Sequence, residues 1–216
     1  MKLIIKTVLV SAFVVLFFGG CATNRGVVSL QISEPKTPSN FNGKTICINS
    51  VTDDRTFQQN PPSADIPSIG FGGADNASKE LKKRAIARKR NGFGKALGDI
   101  LLEEDQTVES VVKKALTKGF CELGYKVIDK KEKAKTDTII VDVSITKFWS
   151  WMNPGFWAIS LSSEIETKIT LTKPKNETKV IHVKSHGKYQ TASGGNWIEV
   201  MKKSLQKFNE KLKENF

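Results

Sequence analysis

An α+β fold is predicted by the order of strand and helix patterns along this chain: a two-layer sandwich in which two helices pack on a mostly antiparallel sheet. One strand pattern lies early, at residues 44–51, and four more follow residue 125. Two segments, 105–123 and 196–212, instead carry apolar residues at helical spacing. An antiparallel meander with one face under the helices and the other face in water accounts for this order.

The first twenty residues have the layout of a secretory signal peptide. Lys2 and Lys6 make the start positive, residues 8–18 are almost entirely apolar, and two glycines precede Cys21. The apolar run is shorter than a membrane-spanning helix requires, and no charged residue follows it directly as a stop signal. We therefore expect residues 1–20 to be removed from the mature chain.

The cysteine at the cleavage point indicates a lipid anchor. The segment Phe18-Gly19-Gly20-Cys21 resembles the lipobox of bacterial lipoproteins, in which the cysteine thiol is acylated and becomes the mature N-terminus. Phe18 departs from the usual leucine of that box, whereas both glycines fit it. An ordinary signal peptide with an incidental cysteine is the competing interpretation. Lipoproteins of this type carry three acyl chains, and two already give firm membrane attachment.

The resemblance to lipoproteins also implies a location. Ala22, rather than Asp, follows the acylated position, and by the sorting rule of Gram-negative lipoproteins this implies the periplasmic face of the outer membrane. Residues 21–43 then form the lipidated cysteine and a tether rich in Pro, Ser and Asn. The remaining residues, 44–216, form a single periplasmic α+β domain.

The mature chain is strongly basic, which limits its partners. It keeps a net charge of +10 once the two leader lysines are removed from the total of +12. In a cytosolic protein this balance would suggest nucleic acid, but export excludes that partner. The expected anionic partners are phospholipid headgroups, lipopolysaccharide, peptidoglycan carboxylates or an acidic protein.

The first half of the domain is interpreted as one strand, several loops and one helix. Residues 44–51 are rich in β-branched side chains, which favour a strand. Residues 53–78 are dense in Pro, Gly, Asn and Ser and predict a long, mobile loop, of a kind that is often functional or disordered. Residues 79–90 hold seven basic side chains and predict a short exposed helix, and residues 92–99 predict a second flexible passage.

The first long predicted helix, at 105–123, has recognisable ends. Asp105 or Thr107 serves as its N-cap, and Gly124 ends it. A cysteine near its C-terminus lies opposite the apolar stripe, so a bridge to the cysteine of the first strand is difficult. We therefore expect these two cysteines, Cys47 and Cys121, to be thiols rather than a disulfide.

The second half alternates apolar and polar residues at strand spacing. The predicted strands are 125–128, 137–148, 157–171 and 180–189, with a turn at 153–155. The last helix, which follows Gly194 and Gly195, carries apolar residues at helical spacing. These residues are Met201, Leu205, Phe208 and Leu212.

The sequence contains no recognisable catalytic motif. It has neither a Gly-x-Ser-x-Gly elbow nor a Walker loop. His182 and His186 lie on a predicted strand and share a face with Lys184, whose charge opposes a bound cation. We therefore predict a non-enzymatic protein with no catalytic residue, no metal site and no cofactor.

An aromatic cluster around the 153–155 turn is the first candidate binding feature. Aromatic side chains on a turn can anchor a protein partner or enter the interface of a bilayer. In the alternative interpretation, the loop at 53–78 folds over this hairpin tip and buries it. The candidate contact residues are Trp149, Trp151, Phe156 and Trp157.

A basic segment is the second candidate binding feature. Each Lys or Arg near an anionic membrane contributes roughly 1 kcal/mol of attraction. A solvated basic loop is the alternative interpretation. The candidate residues for contact with an anionic surface are Lys82, Lys83, Arg84, Arg88, Lys89 and Arg90.

Three short segments, together with the lipobox, resemble the YajG-type family of outer-membrane lipoproteins. They are Val51-Thr52-Asp53-Asp54-Arg55, Lys89-Arg90-Asn91-Gly92-Phe93-Gly94 and Leu123-Gly124-Tyr125-Lys126-Val127. The resemblance covers most of the mature chain and implies location and fold, because such proteins have no assigned activity. The topology also resembles small lipoproteins that assist lipopolysaccharide assembly or activate peptidoglycan synthases through protein contact.

The expected function is non-catalytic binding or assistance of another cell-envelope component. The alternative is an accessory subunit of lipid or lipopolysaccharide transport that touches anionic lipid through the basic segment. An enzyme is the third possibility. Turnover that is abolished when a specific polar cluster is mutated would reveal it.

Overall fold

The computed structural model describes residues 25–33, 40–91, 95–129, 134–155 and 157–216. The predicted signal peptide, Cys21 and Phe156 lie outside these ranges. The described strands are β1 (Gly26–Val28), β2 (Thr45–Asp53), β3 (Ala85–Arg90), β4 (Ala96–Leu102), β5 (Lys126–Ile128), β6 (Ile139–Asn153), β7 (Ile159–Lys173) and β8 (Glu177–Tyr189). The described helices are α1 (Gly73–Asn76), α2 (Lys79–Arg84), α3 (Val108–Glu122) and α4 (Gly194–Asn215).

The strands form one mixed sheet, and the predicted α+β class is confirmed. Strands β6, β7 and β8 make the predicted antiparallel meander. Strand β2 instead runs parallel to both β5 and β6. Strands β3, β4 and β1 extend the sheet beyond β6 in that order.

Strand β6 organises the sheet because two strands share one of its edges. Strand β2 pairs in parallel with its first half, from Ile139 to Ile145. Strand β3 pairs in parallel with its second half, where Ala87 lies opposite Ser150. The edge therefore has a gap between the two partners, at residues 146–149, where the backbone pairs with neither β2 nor β3.

The side chain of Arg55 fills this gap. Its Nε and Nη2 bind the two carboxylate oxygens of Asp53 at 2.6 and 2.7 Å. Its remaining donors reach backbone carbonyl oxygens: Nη1 those of Phe148 and Ala85, and Nη2 that of Lys82, at 2.7–2.9 Å. All five guanidinium donors are thus used, and the side chain is 0% exposed. Arg55 supplies the hydrogen bonds that a continuous strand would have supplied.

Helices α3 and α4 pack on one face of the sheet and close the main core. Helix α3 begins with a capping box, in which Thr107 Oγ1 accepts from the Ser110 N–H and Ser110 Oγ accepts from the Thr107 N–H. Of the two predicted N-cap residues, Asp105 and Thr107, the structure therefore shows Thr107. Helix α4 buries the four apolar residues predicted for it. Among the described helices, none combines the length and apolar character that crossing a bilayer requires.

The opposite face carries a second, smaller core. It consists of Ile69, Ala85, Leu101 and Trp149, with Phe57, Ala77, Leu81 and Trp151 packed against it. Residues 54–77 fold over β3, β4 and β6 to cover it. The segment predicted to be a mobile loop is therefore part of the packing, and the predicted wet face is limited to the side of β7 and β8.

Three boundaries predicted for the N-terminal half are wrong. The tether was predicted for 21–43, but Gly26–Val28 is a strand that pairs with β4, and Val28 and Leu30 are buried in the main core. A flexible passage was predicted for 92–99, but strand β4 begins at Ala96. The helix predicted for 79–90 ends at Arg84, and the rest is strand β3.

These errors share one physical cause. Strands β1, β3 and β4 have three, six and seven residues, and each is held by backbone pairing with segments distant in sequence, such as Gly26 with Ile100. Such pairings satisfy backbone groups regardless of local propensity, so glycine and arginine in these segments mislead local pattern rules.

The two cysteines of the domain are thiols, as predicted. Cys47 is buried in β2, opposite Ile128 and Ile140. Cys121 is half-buried on α3, where burial and the neighbouring Glu122 raise the pKa of its thiol. Its thiolate, the reactive form, is therefore disfavoured.

Replacement of Arg55 by Lys should destabilise the protein by about 3–5 kcal/mol, because the compact ammonium group cannot reach Asp53 and all three carbonyl groups at once and leaves buried acceptors without donors. Denaturant unfolding measures this free energy. The matched control is Arg84→Lys, since Arg84 is half-buried and donates to a single carbonyl, that of Leu102. The free energy of unfolding of this control variant should fall by about 1 kcal/mol. Equal losses in the two variants would show that the gap does not depend on Arg55.

Candidate functional site

Two hairpins lie side by side at one end of the sheet, called here the tip end. Their described residues are Asn91 and Lys95 between β3 and β4, and Pro154, Gly155, Trp157 and Ala158 between β6 and β7. Because β3 runs parallel to β6, with Ala87 opposite Ser150, Arg90 and Asn153 end their strands at the same level. Adjacent strands lie about 4.8 Å apart, so the two hairpins are neighbours.

The predicted aromatic cluster is divided by the sheet. Trp157, on the β6–β7 connection, is 84% exposed at the tip end. Trp151 is half-buried against the second core. Trp149 is 1% exposed: its Nε1 donates to the Ala64 carbonyl at 3.1 Å and its ring meets that of Phe57 edge-on. The prediction that Trp149 is a contact residue is therefore wrong, and the alternative of burial under the 53–78 loop holds for it.

A register shift explains the position of Trp149. Strand β6 has a bulge between Ile145 and Lys147. Before the bulge, the odd-numbered Val141, Val143 and Ile145 face the main core, as predicted; after it, the even-numbered Phe148 does so. The bulge thus turns Trp149 and Trp151 to the opposite face, where the loop covers them.

The predicted basic segment is divided between the two ends of the sheet. Lys82, Lys83 and Arg84 belong to α2, which precedes β3 and lies at the end opposite the tip. Arg88, Lys89 and Arg90 are the last residues of β3 and lie at the tip end. The six residues of β3 span about 20 Å, so the segment does not form one surface. Only its second half lies near Trp157.

A buried carboxylate, Asp99, joins three parts of the chain in the middle of β4. It is 0% exposed, and its Oδ2 accepts from Arg25 Nε at 3.1 Å while its Oδ1 accepts from the Gly70 N–H at 2.8 Å. A Cβ at Gly70 would lie 3.3 Å from Oδ1, so this close approach suits glycine. The start of the domain and the 54–77 loop are therefore both held to β4.

Cationic and aromatic side chains surround this carboxylate. The Arg25 guanidinium lies 5.1 Å above the ring of Phe71, which is 63% exposed and has a left-handed φ of 52°. Arg88 lies opposite Asp99 in the β3–β4 pair. Burial, and then the charge of Arg90, lower the pKa of Arg88, although Asp99 raises it. Arginine nevertheless stays protonated at neutral pH, so the cluster is cationic.

The sequence analysis missed Arg25, Phe71 and Asp99. Arg25 was placed in the tether, Phe71 in a mobile loop and Asp99 in a flexible passage. One signal was present: Asp99 directly precedes the apolar run Ile100-Leu101-Leu102, which has the length of a short strand. Their meeting depends on the β1–β4 and β3–β4 pairings, which no local pattern shows.

A second buried carboxylate lies on the outer face of β7. Glu164 is 1% exposed, beside Trp149 on β6 and Lys184 on β8. Its Oε1 accepts from Lys147 Nζ at 3.0 Å and meets His182 Nε2 at 2.5 Å, with Lys184 Nζ at 3.4 Å. Burial raises the pKa of Glu164, but the hydrogen bonds from Lys147 and His182 outweigh it, and the net pKa is lowered.

The arrangement around Glu164 is that of a structural ion cluster. A carboxylate with a lowered pKa is a weak base and a poor proton acceptor near neutral pH. His186, like His182, is exposed on β8. In the part of the chain that the structure describes, no group of three His, Cys, Asp or Glu side chains is arranged to hold a metal ion.

Surface cavities lie away from the tip end. A cavity of about 520 Å³ lies between α3, α4 and residues 31–33. A more apolar groove of about 400 Å³ lies between α3 and β5, lined by Ile48, Val127 and Ile128 among others. The larger cavity is also lined by lysine, amide and carboxylate side chains, Glu122 and Glu210 among them, and the groove by lysines, hydroxyl groups and Asp129.

Comparison with known proteins finds similarity to solved structures alone. No family model matches the chain, and no curated protein matches it. An uncharacterised protein is similar over 89% of this chain and 98% of its own, at 11% identity and a TM-score of 0.44. A Xanthomonas campestris protein of the DUF330 family is similar over 87% and 91%, at 8% identity and a TM-score of 0.46. A putative neuraminyllactose-binding hemagglutinin homolog from Helicobacter pylori is similar over 88% and 92%, at 10% identity and a TM-score of 0.41.

Replacement of Glu164 by Gln should lower stability by about 1–2 kcal/mol at pH 7, because Lys147, His182 and Lys184 lose their common counter-charge. The native pKa of Glu164 is lowered, so its contribution is complete above the ordinary value of about 4.3 and is lost as pH falls below it. The difference in unfolding free energy between wild type and variant should therefore decrease from pH 7 to pH 3.

Urea unfolding across this pH range checks the prediction, with Glu177→Gln, an exposed position, as the control. A free-energy difference that stays constant with pH would show that the charge of Glu164 is not what stabilises the fold.

Proposed function

We propose that this chain is a lipoprotein of the YajG type, cleaved before Cys21, acylated there and held at the periplasmic face of the outer membrane of a Gram-negative bacterium. The observation that carries this proposal is the lipobox Phe18-Gly19-Gly20-Cys21 behind a short charged and apolar leader. The position of β1 adds support, because the folded domain begins only a few residues after the proposed anchor.

We propose further that the protein acts without catalysis, by binding another component of the cell envelope. The exposed Trp157 beside the basic end of β3 supports a contact surface, since tryptophan is enriched where proteins meet partners or the membrane interface. The ion cluster at Glu164 offers no general base, which favours binding over catalysis. The proposal involves no cofactor, no metal and no nucleic acid.

A second candidate function is that of an accessory subunit in lipid or lipopolysaccharide transport or assembly. The observation that favours it is the position of Arg88, Lys89 and Arg90, which share the tip end with Trp157. Cationic and aromatic side chains together suit an anionic amphiphile, whose headgroup is charged and whose tail is apolar.

The anchor is tested by labelling cells with an alkyne fatty acid. Wild-type protein should incorporate the label and fractionate with the outer membrane, whereas Cys21→Ala should lose the label because it has no thiol to acylate. Cys121→Ala is the matched control, since it removes a half-buried thiol elsewhere, and it should label fully. Unlabelled wild-type protein would overturn the proposed anchor.

The contact surface is tested by photo-crosslinking in cells. A crosslinking residue in place of Trp157 should give a discrete adduct, because this position is the most exposed aromatic of the described chain. The control position is Val180, which is 53% exposed on β8 near the opposite end. Equal adducts from both positions, or none from either, would contradict a contact surface at the tip end.

A further inference from the structure

We propose that the tip end is a membrane-docking face, seated on anionic phospholipid headgroups beside the lipid anchor. The inference names the envelope component of the proposed function and rests on the proposed anchor at Cys21. Its basis is three features: the start of the domain on the tip side of β1, basic side chains where β3 ends and β4 begins, and two exposed aromatic rings, Trp157 at the tip end and Phe71 beside Arg25.

Chain length ties the anchor to this end. Arg25 is the fourth residue after Cys21, and a fully extended chain advances at most about 3.5 Å per residue, or about 14 Å in all. Arg25 is held in place by Asp99, and Gly26 pairs with Ile100 on β4. Because β1 runs parallel to β4 and away from the tip end, the domain begins on the tip side of β1, and an acyl anchor at Cys21 would lie within about 14 Å of that start.

The charge at the tip end matches an anionic surface. Among the described residues 88–91, 95–99 and Arg25, five side chains are basic and one is acidic. That acid, Asp99, is buried and already accepts from Arg25 and the Gly70 backbone. Guanidinium groups bind phosphate oxygens in a bidentate manner, which suits phospholipid headgroups.

The opposite end carries charges of both signs, the basic residues of α2 and the acids that follow β4. Strand β4 ends there, and the residues that follow it, Glu103, Glu104 and Asp105, are three exposed acids in a row. An anionic bilayer would repel this connection.

Two exposed rings give the tip end a bilayer-interface character. Trp157 is 84% exposed and Phe71 is 63% exposed. Tryptophan is enriched at membrane interfaces, where its ring lies among the headgroups. Phe71 is presented by a backbone with φ of 52°, an uncommon conformation for a residue other than glycine, and Arg25 lies over its ring. An aromatic residue next to a cation fits the boundary between acyl chains and phosphate.

The test uses residues 21–216 with Cys21→Ser, a chain that keeps every described element and carries no acyl group. Co-sedimentation measures its partition onto vesicles of phosphatidylethanolamine with 30% phosphatidylglycerol (about a third anionic lipid) and onto vesicles of phosphatidylcholine alone. We expect binding to the anionic vesicles that salt weakens, because exposed charges are screened at high ionic strength. Brominated phosphatidylglycerol should quench tryptophan emission, and Trp157→Phe should remove most of that quenching.

Matched variants localise the face. Lys89→Gln with Lys95→Gln should reduce the partition coefficient by about 25-fold, since each basic residue near the surface contributes a factor of about five. The control pair, Lys173→Gln with Lys175→Gln, removes the same charge from the exposed β7–β8 connection at the opposite end. This pair should change the partition coefficient less than threefold. Circular dichroism confirms that each pair remains folded.

Three outcomes would overturn the inference. They are equal binding to both kinds of vesicle, equal loss from the two lysine pairs, and a crosslink from position 157 to a protein in place of lipid. Because the vesicle assay uses a chain without acyl groups, its result is separate from that of the fatty-acid labelling. Failed labelling with successful docking would reject the anchor alone, and the reverse would reject the docking face alone.

Discussion

The hydrogen bonding of Arg55 is the interaction on which the arrangement of this sheet depends. One edge of β6 accommodates two parallel strands in succession, and neither covers the backbone between them. A buried backbone carbonyl without a donor is costly, so the gap needs a donor that reaches several directions at once. The planar guanidinium meets this need with five donors, and Asp53 balances its charge. The β2–β5 half and the β3–β4–β1 half of the sheet both pair with β6, and this side chain fills the space between them.

This junction also determines what meets at the tip end. Because β3 continues the edge that β2 leaves, the β3–β4 hairpin stands beside the β6–β7 hairpin, and the end of the basic segment approaches Trp157. Strand β1 pairs in parallel with β4 and begins on the tip side, with Arg25 beside Asp99. A surface that combines the proposed anchor, cationic groups and exposed rings thus follows from the order of strands, although its members are far apart in sequence.

Much of the fold was predictable because its largest elements satisfy themselves locally. Helix α3 has its own capping box and α4 its own apolar stripe, and β7 alternates over most of its length. The candidate site was only partly predictable. Trp157 and Arg88–Arg90 were identified from their composition, whereas Trp149 was misplaced because a bulge in β6 changes which residues face the core. Arg25, Phe71 and Asp99 were not identified, since each gains its role from a long-range contact.

The sequence by itself determined the α+β class, the main helices, the meander and the strong basic charge, because periodicity and composition are properties of the local chain. It also contains the lipobox on which the proposed location rests. Only the tertiary structure decided that the segment before residue 44 belongs to the sheet, that the 54–77 loop buries Trp149, and that the basic segment is divided between two ends. These outcomes depend on which distant backbone groups satisfy one another, and that choice is made by the packing of the whole domain.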